Sequence, residues 1–166
     1  MGLSIYTGRI DITEPDGYHC DYERFILTAN PDGSRTLRTV TRSPKGDLLR
    51  DVNQMVAADW RPIEVTGRLF FKNEFQGTVM RRVIGDKIHS YVWTPGSPMD
   101  YQEIDAPPKM TLGFHPIFHD AWKMSYLDLG SREYQPILTH TVSNTWNGRA
   151  ARLMPSRHSP SVSGFA

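Results

Sequence analysis

The sequence predicts an all-β fold: a single antiparallel β-barrel or strongly curved half-barrel with one short helix. Three observations predict it. Alternating or β-branched segments follow one another from residue 3 to residue 93, separated by turns rich in Gly, Pro, Asp and Asn. Only one stretch, 115–124, carries the marks of a helix. Finally, eight or nine strands in series must curl or close, because a flat meander leaves exposed edges. A barrel of about 8 strands has room for one small ligand.

Each element follows in order. Residues 3–12 (LSIYTGRIDI) alternate and form a first strand, and 19–29 (HCDYERFILTA) a second. "NPDGSR" at 30–35 is a hairpin turn, with Pro31, Asp32 and Gly33 supplying the backbone angles. "TLRTVTR" at 36–42 returns as a β-branched third strand, and "SPKGD" at 43–47 turns again. "LLRDVNQMVA" at 48–57 reads as a strand, since its apolar residues hold no helical stripe. A fifth strand starts near Ile63, "NEFQG" turns, and "TVMRRVI" (78–84) and "KIHSYVW" (87–93) form a hairpin about Gly85-Asp86. The stretch 94–111 holds four prolines and reads as a loop, a flap over an opening. In "HPIFHDAWKM", Pro116 suits the first helical position, where a missing N–H costs nothing. Strands near 134–143 and 149–154 complete one domain, 1–155, and the polar tail 156–166 is expected to fray.

The bulk composition excludes several functions. Among 166 residues, 39% are hydrophobic and 11% aromatic, which suits a folded chain with large side chains facing a core or cavity. The net charge is +1 and the arginines are scattered, so no nucleic-acid footprint is expected. The single cysteine, Cys20, excludes an internal disulfide and a thiolate zinc site. No apolar run reaches membrane-span length, and the first residues lack the basic and apolar regions of a leader, so a cytoplasmic location is expected.

The meander from 4 to 93, with "AADWRPIEVTGRLFF" inside it, resembles the LolA/LolB-like half-barrel families. The matching residues are Asp59, Trp60, Pro62 and Ile63, then Gly67 and Gly85-Asp86. The resemblance covers roughly half the chain and is one of architecture. It implies either lipid carriage or, as in a cytoplasmic biosynthetic member, a cofactor-free rearrangement. Lipocalin-like barrels are the neighbouring alternative.

Candidate chemistry centres on "GFHPIFHDAW". His115 and His119 are spaced i and i+4 and would share one helix face, with Trp122 near them. A metal would need a third ligand; Asp120 lies about 100° round the helix and no other histidine has a recruiting spacing, so no metal is expected. A histidine near neutral pKa suits proton transfer instead. In "CDYERF", Asp21, Glu23 and Phe25 share one face and Tyr22 and Arg24 the other. If the second pair faces inward, Tyr22 donates a proton and Arg24 orients a carboxylate or phenolate; otherwise Arg24 pairs outward with a cross-strand acid. "RDVNQM" has polar residues on both faces, and Asn53 is the candidate ligand contact. Unless their strand is at an edge, one of Arg81 and Arg82 faces in, where it needs an anion: Glu23, Asp51, Glu64 or a ligand. Asn144 and Trp146 stand near the rim, before an Asn147-Gly148 hairpin.

These residues predict a cofactor-independent lyase, hydratase or isomerase acting on a hydrophobic or aromatic small molecule. His115, His119 and Tyr22 carry the acid/base work; Arg24, Asn53, Arg81, Trp122, Asn144 and Trp146 hold the substrate. No glycine-rich phosphate cradle is present, so no cofactor is expected. The alternatives are a cytoplasmic carrier of a lipid or hydrophobic metabolite and an assembly partner, a homodimer among them, using a sheet edge.

Overall fold

The computed structural model describes residues 2–13, 16–17, 19–108, 110–113, Trp122, 138–141 and 154–156, the last two as backbone. Eight strands form one antiparallel meander: β1 (Ser4–Thr13), β2 (His19–Ala29), β3 (Arg35–Arg42), β4 (Leu48–Val56), β5 (Pro62–Phe71), β6 (Glu74–Ile84), β7 (Lys87–Trp93) and β8 (Asp100–Asp105). A second sheet holds β9 (Met110–Gly113), β10 (Leu138–Thr141) and β11 (Met154–Ser156) in the order β11-β10-β9. The described residues are therefore all-β apart from the helical Trp122, and the rest of the helix expected over 115–124 lies outside the described residues. The large sheet is open, with β1 and β8 at its ends and no pairing between them among the described residues. One pairing departs from the antiparallel expectation: β9 and β10 run parallel.

The turns explain the meander. Asp32 accepts from the Ser34 backbone N–H at 2.9 Å and from its hydroxyl at 2.7 Å, and Gly33 takes a φ of 83°. At the β5–β6 connection the turn falls on Lys72 and Asn73, both with positive φ, the pattern of a two-residue type I′ hairpin. The turn expected at 73–77 is thus displaced, and the strand resumes at Glu74. Residues 94–111, read as a loop, contain β8 and the start of β9. The prolines sit outside these strands, and Tyr101, Gln102, Glu103 and Ile104 alternate between the faces like any strand.

The register puts every second residue on an inner, buried face. Across β3 to β7 that face carries Leu37, Val52, Val56, Val65, Val79, Ile88 and Val92. β9 runs against β5 and adds Met110 and Leu112 to the largest core cluster. A second cluster joins Leu37 and Val56 to Trp122, with Phe25, Leu27 and Trp60 against it. Burying each such side chain contributes about 1.5–3 kcal/mol. On β1, Gly8 lies opposite Phe25, and a Cβ there would meet the Phe25 ring at 2.6 Å. The glycine is the space into which the ring packs.

Candidate functional site

Polar side chains occupy the same inner face as the core. On β2 the apolar parity set by Phe25 and Leu27 carries Asp21 and Glu23 inward with them. On β4 the parity of Val52 and Val56 does the same for Arg50 and Gln54. On β6, Val79 and Val83 bring Arg81 in.

The register then assembles two rows. Glu23, Thr41 and Arg50 lie side by side across β2, β3 and β4. Glu23 is fully buried, and the Thr41 hydroxyl donates to its Oε1 at 3.2 Å. Burial pulls the Arg50 guanidinium below its usual value, while the charges of Glu23 and Asp21 oppose that pull. Burial pushes Asp21 above the usual carboxylate range, against Arg50 and His19. The cluster is thus an acid pair braced by one arginine, with one acid nearer to protonation than an exposed carboxylate.

The second row is Leu27, Leu37, Gln54, Val65, Arg81, Ser90 and Gln102, running from β2 to β8. Arg81 is 1% exposed, and burial lowers its pKa to about 10. Gln54 donates through Nε2 to the Leu112 carbonyl at 2.8 Å, tying β4 to β9. Among the described residues, Gln54 Oε1 and Thr39 Oγ1 are buried without a hydrogen-bond partner. A buried oxygen without a donor costs about 1–3 kcal/mol.

An aromatic group closes one end of this face. Trp60 has a φ of 70°, rare for a non-glycine residue. The Arg35 guanidinium lies 3.9 Å from its ring centroid, and Trp122 meets it edge-on at 6.4 Å. Trp60, picked out by the half-barrel resemblance, thus joins the sheet rim to Trp122.

Of the predicted site residues, Arg81 and Trp122 are on the inner face, both buried. Tyr22 and Arg24 are on the outer face: Arg24 is exposed, and the Arg9 guanidinium stacks on Tyr22 at 4.2 Å. Asn53 is also outside, opposite Arg38 and Thr66. Of the three acids proposed to meet a buried arginine, Glu23 lies inside, beside Arg50, whereas Asp51 and Glu64 lie outside. His115, His119, Asn144 and Trp146 lie outside the described residues. Glu23 entered the sequence expectation only as one of three acids for a buried arginine, and Asp21, Arg50 and Gln54 were not among the predicted site residues. The signal was their shared parity with Phe25, Leu27, Val52 and Val56. Among the described residues, no group of three His, Cys, Asp or Glu side chains is placed to hold a metal, and no helix is long and apolar enough to cross a membrane.

No family model, curated protein or solved structure matches this chain.

Proposed function

We propose that the large sheet is the wall of a half-barrel of the LolA/LolB-like or lipocalin-like kind. Its inner face takes a hydrophobic or aromatic small molecule bearing a carboxylate or phenol. The protein acts on that molecule without a cofactor, by acid/base catalysis of the lyase, hydratase or isomerase type, in a cytoplasmic setting. One observation supports this reading above the others: the inner face mixes an aliphatic core with Asp21, Glu23, Arg50, Gln54 and Arg81. A plain lipid carrier has little use for buried charges, each costly to desolvate. An enzyme has use for both kinds of group. Arg81 would anchor the acidic end, and Gln54 Oε1 and Thr39 Oγ1 would accept from a phenol or hydroxyl. Asp21, with its raised pKa, and the histidines of "GFHPIFHDAW" are the proton carriers of the proposal.

Native mass spectrometry of the purified full chain tests it. The expected result is a bound acidic small molecule, retained by the wild type and lost in Gln54→Leu and in Arg81→Met. Circular dichroism distinguishes a lost site from a lost fold. The released compound is then returned to fresh protein. Conversion to a product supports catalysis, with Asp21→Asn slower. A ligand that comes back unchanged leaves the carrier reading, and a neutral lipid in the complex overturns the acidic-substrate reading.

A further inference from the structure

The outer face of the same sheet carries a separate polar depression. Directly opposed positions bring Arg38, Asn53 and Thr66 into one row across β3, β4 and β5, and Asp51 and Arg68 into the next. These five side chains line a space of about 390 Å³. Asp51 is its floor, 17% exposed, whereas Arg38 and Arg68 are 56% and 59% exposed. Arg38 grips Asp51 as a fork, with Nε donating to Oδ1 and Nη2 to Oδ2, both at 3.1 Å. Arg68 stands 3.7 Å from Oδ2, close enough for attraction and too far for a hydrogen bond.

One carboxylate therefore faces two guanidiniums, and the local charge is positive. Among the described residues, the Arg68 guanidinium, the Asn53 amide and the Thr66 hydroxyl make no side-chain hydrogen bond. The depression thus has an excess of donors over acceptors, two of them planar forks matched to oxygen pairs. We propose that it binds an oxyanion: a phosphoryl, sulfate or carboxylate group of a soluble ligand. Arg68 and the outward edge of Arg38 form the clamp, and Asn53 and Thr66 supply neutral hydrogen bonds at its side. Asp51 is the resident carboxylate, gripped by one edge of Arg38, and its charge repels the incoming anion. The site lies on the opposite face of the sheet from Arg81.

Titration of the full chain at low salt with sodium phosphate, sulfate and acetate, followed by NMR of the arginine Nε–H signals, tests the proposal. Saturable shifts at Arg38 and Arg68 are expected, and the anion with the strongest response identifies the source. Arg68→Gln should weaken binding at least about tenfold, the loss of one charge-assisted hydrogen bond. Asp51→Asn should tighten it about fourfold, the effect of removing a like charge roughly 5 Å away in water. Arg82→Gln, an exposed outer-face arginine opposite Glu64 and His89, should change nothing. Arg68→Lys keeps the charge and loses the fork, and should also bind more weakly. The absence of saturation with all three anions overturns the proposal. So does equal weakening in Arg82→Gln and Arg68→Gln, or weaker binding in Asp51→Asn.

Discussion

Arg50 and Asp51 are neighbours in the chain and live in different environments. Arg50 points into the inner face beside Glu23, where burial lowers its pKa and carboxylates resist that change. Asp51 points out and meets Arg38 and Arg68, both more than half exposed. The same contrast recurs along β3, where Leu37 is fully buried and Arg38 exposed. The two faces teach that charge in this protein has two energetic meanings. Inside, burial works against a charged group and neighbouring charges offset that cost, so removing such a neighbour leaves the cost unopposed. Outside, solvent screens the pair, and the side chains keep donors for something else.

The largest test of this contrast is a paired truncation. Leu37→Ala should cost about 2–5 kcal/mol, because it opens a cavity beneath Trp122 and Val56. Arg38→Ala, one residue on, should stay within about 0.5 kcal/mol. Urea denaturation of the two variants measures both, and similar losses would mean that the faces are not energetically distinct. The next largest effect concerns the inner charges themselves. Glu23→Leu should cost about 1–3 kcal/mol, since the Thr41 hydroxyl loses its acceptor and Arg50 one of the charges that offset its burial. Adding Arg50→Met should recover part of that loss, since the buried guanidinium goes with the charge that offset it. No recovery in the double variant would show that Glu23 is held mainly by something other than Arg50.

A smaller effect is expected at the rim where the two faces meet. Trp60 adopts a φ of 70°, a conformation that an L side chain enters at a cost of about 1–2 kcal/mol. Both Trp60→Ala and Trp60→Gly lose the stack between Arg35 and Trp122. Glycine alone also sheds the backbone strain. The Gly variant should therefore be more stable than the Ala variant by about 1 kcal/mol, the reverse of their usual order at negative φ. Thermal melts of the two variants decide it.

Much of the fold was legible because period-two alternation is a strong signal when both neighbours of a strand are turns. β2, β3, β4, β5 and β7 follow it closely. β8 was missed because its only inward apolar residue is Ile104 and prolines flank it on both sides. The inner polar residues were harder to read. "RDVNQM" alone is ambiguous, and the faces separate only when Val52 and Val56 are counted along the whole strand. On β6 even that fails, since Val79 and Val83 compete with Met80 and Ile84 for the inner side. There, pairing with Val65 and Ser90 decides that Arg81 is inside. The outer depression was illegible in principle. Its five residues come from three strands and meet only through register.

The smallest expected effect compares two aspartates on opposite faces. Burial raises Asp21 above its ordinary value of 3.8, in spite of Arg50 and His19. The folded protein therefore holds that proton more tightly than the unfolded chain does. Its favourable contribution is complete below pH 3.8 and is lost as the pH rises through the higher folded value. Asp11, on the outer face of β1, has the opposite sign. Hydrogen bonds from Arg9 and His19 lower its pKa, so its contribution is present above pH 3.8 and is lost as the pH falls through the lower folded value. Asp21→Asn should thus raise the urea midpoint at neutral pH, and the gain should vanish below pH 3.8, where Asp21 is uncharged in both states. Asp11→Asn should lower the midpoint slightly at neutral pH and do nothing in acid. A gain at Asp21 that persists unchanged in acid would mean that shape, and not ionisation, is its source. A loss at neutral pH would mean that the attraction of Arg50 outweighs burial, and the inner acid pair would then be a structural brace and not a proton carrier.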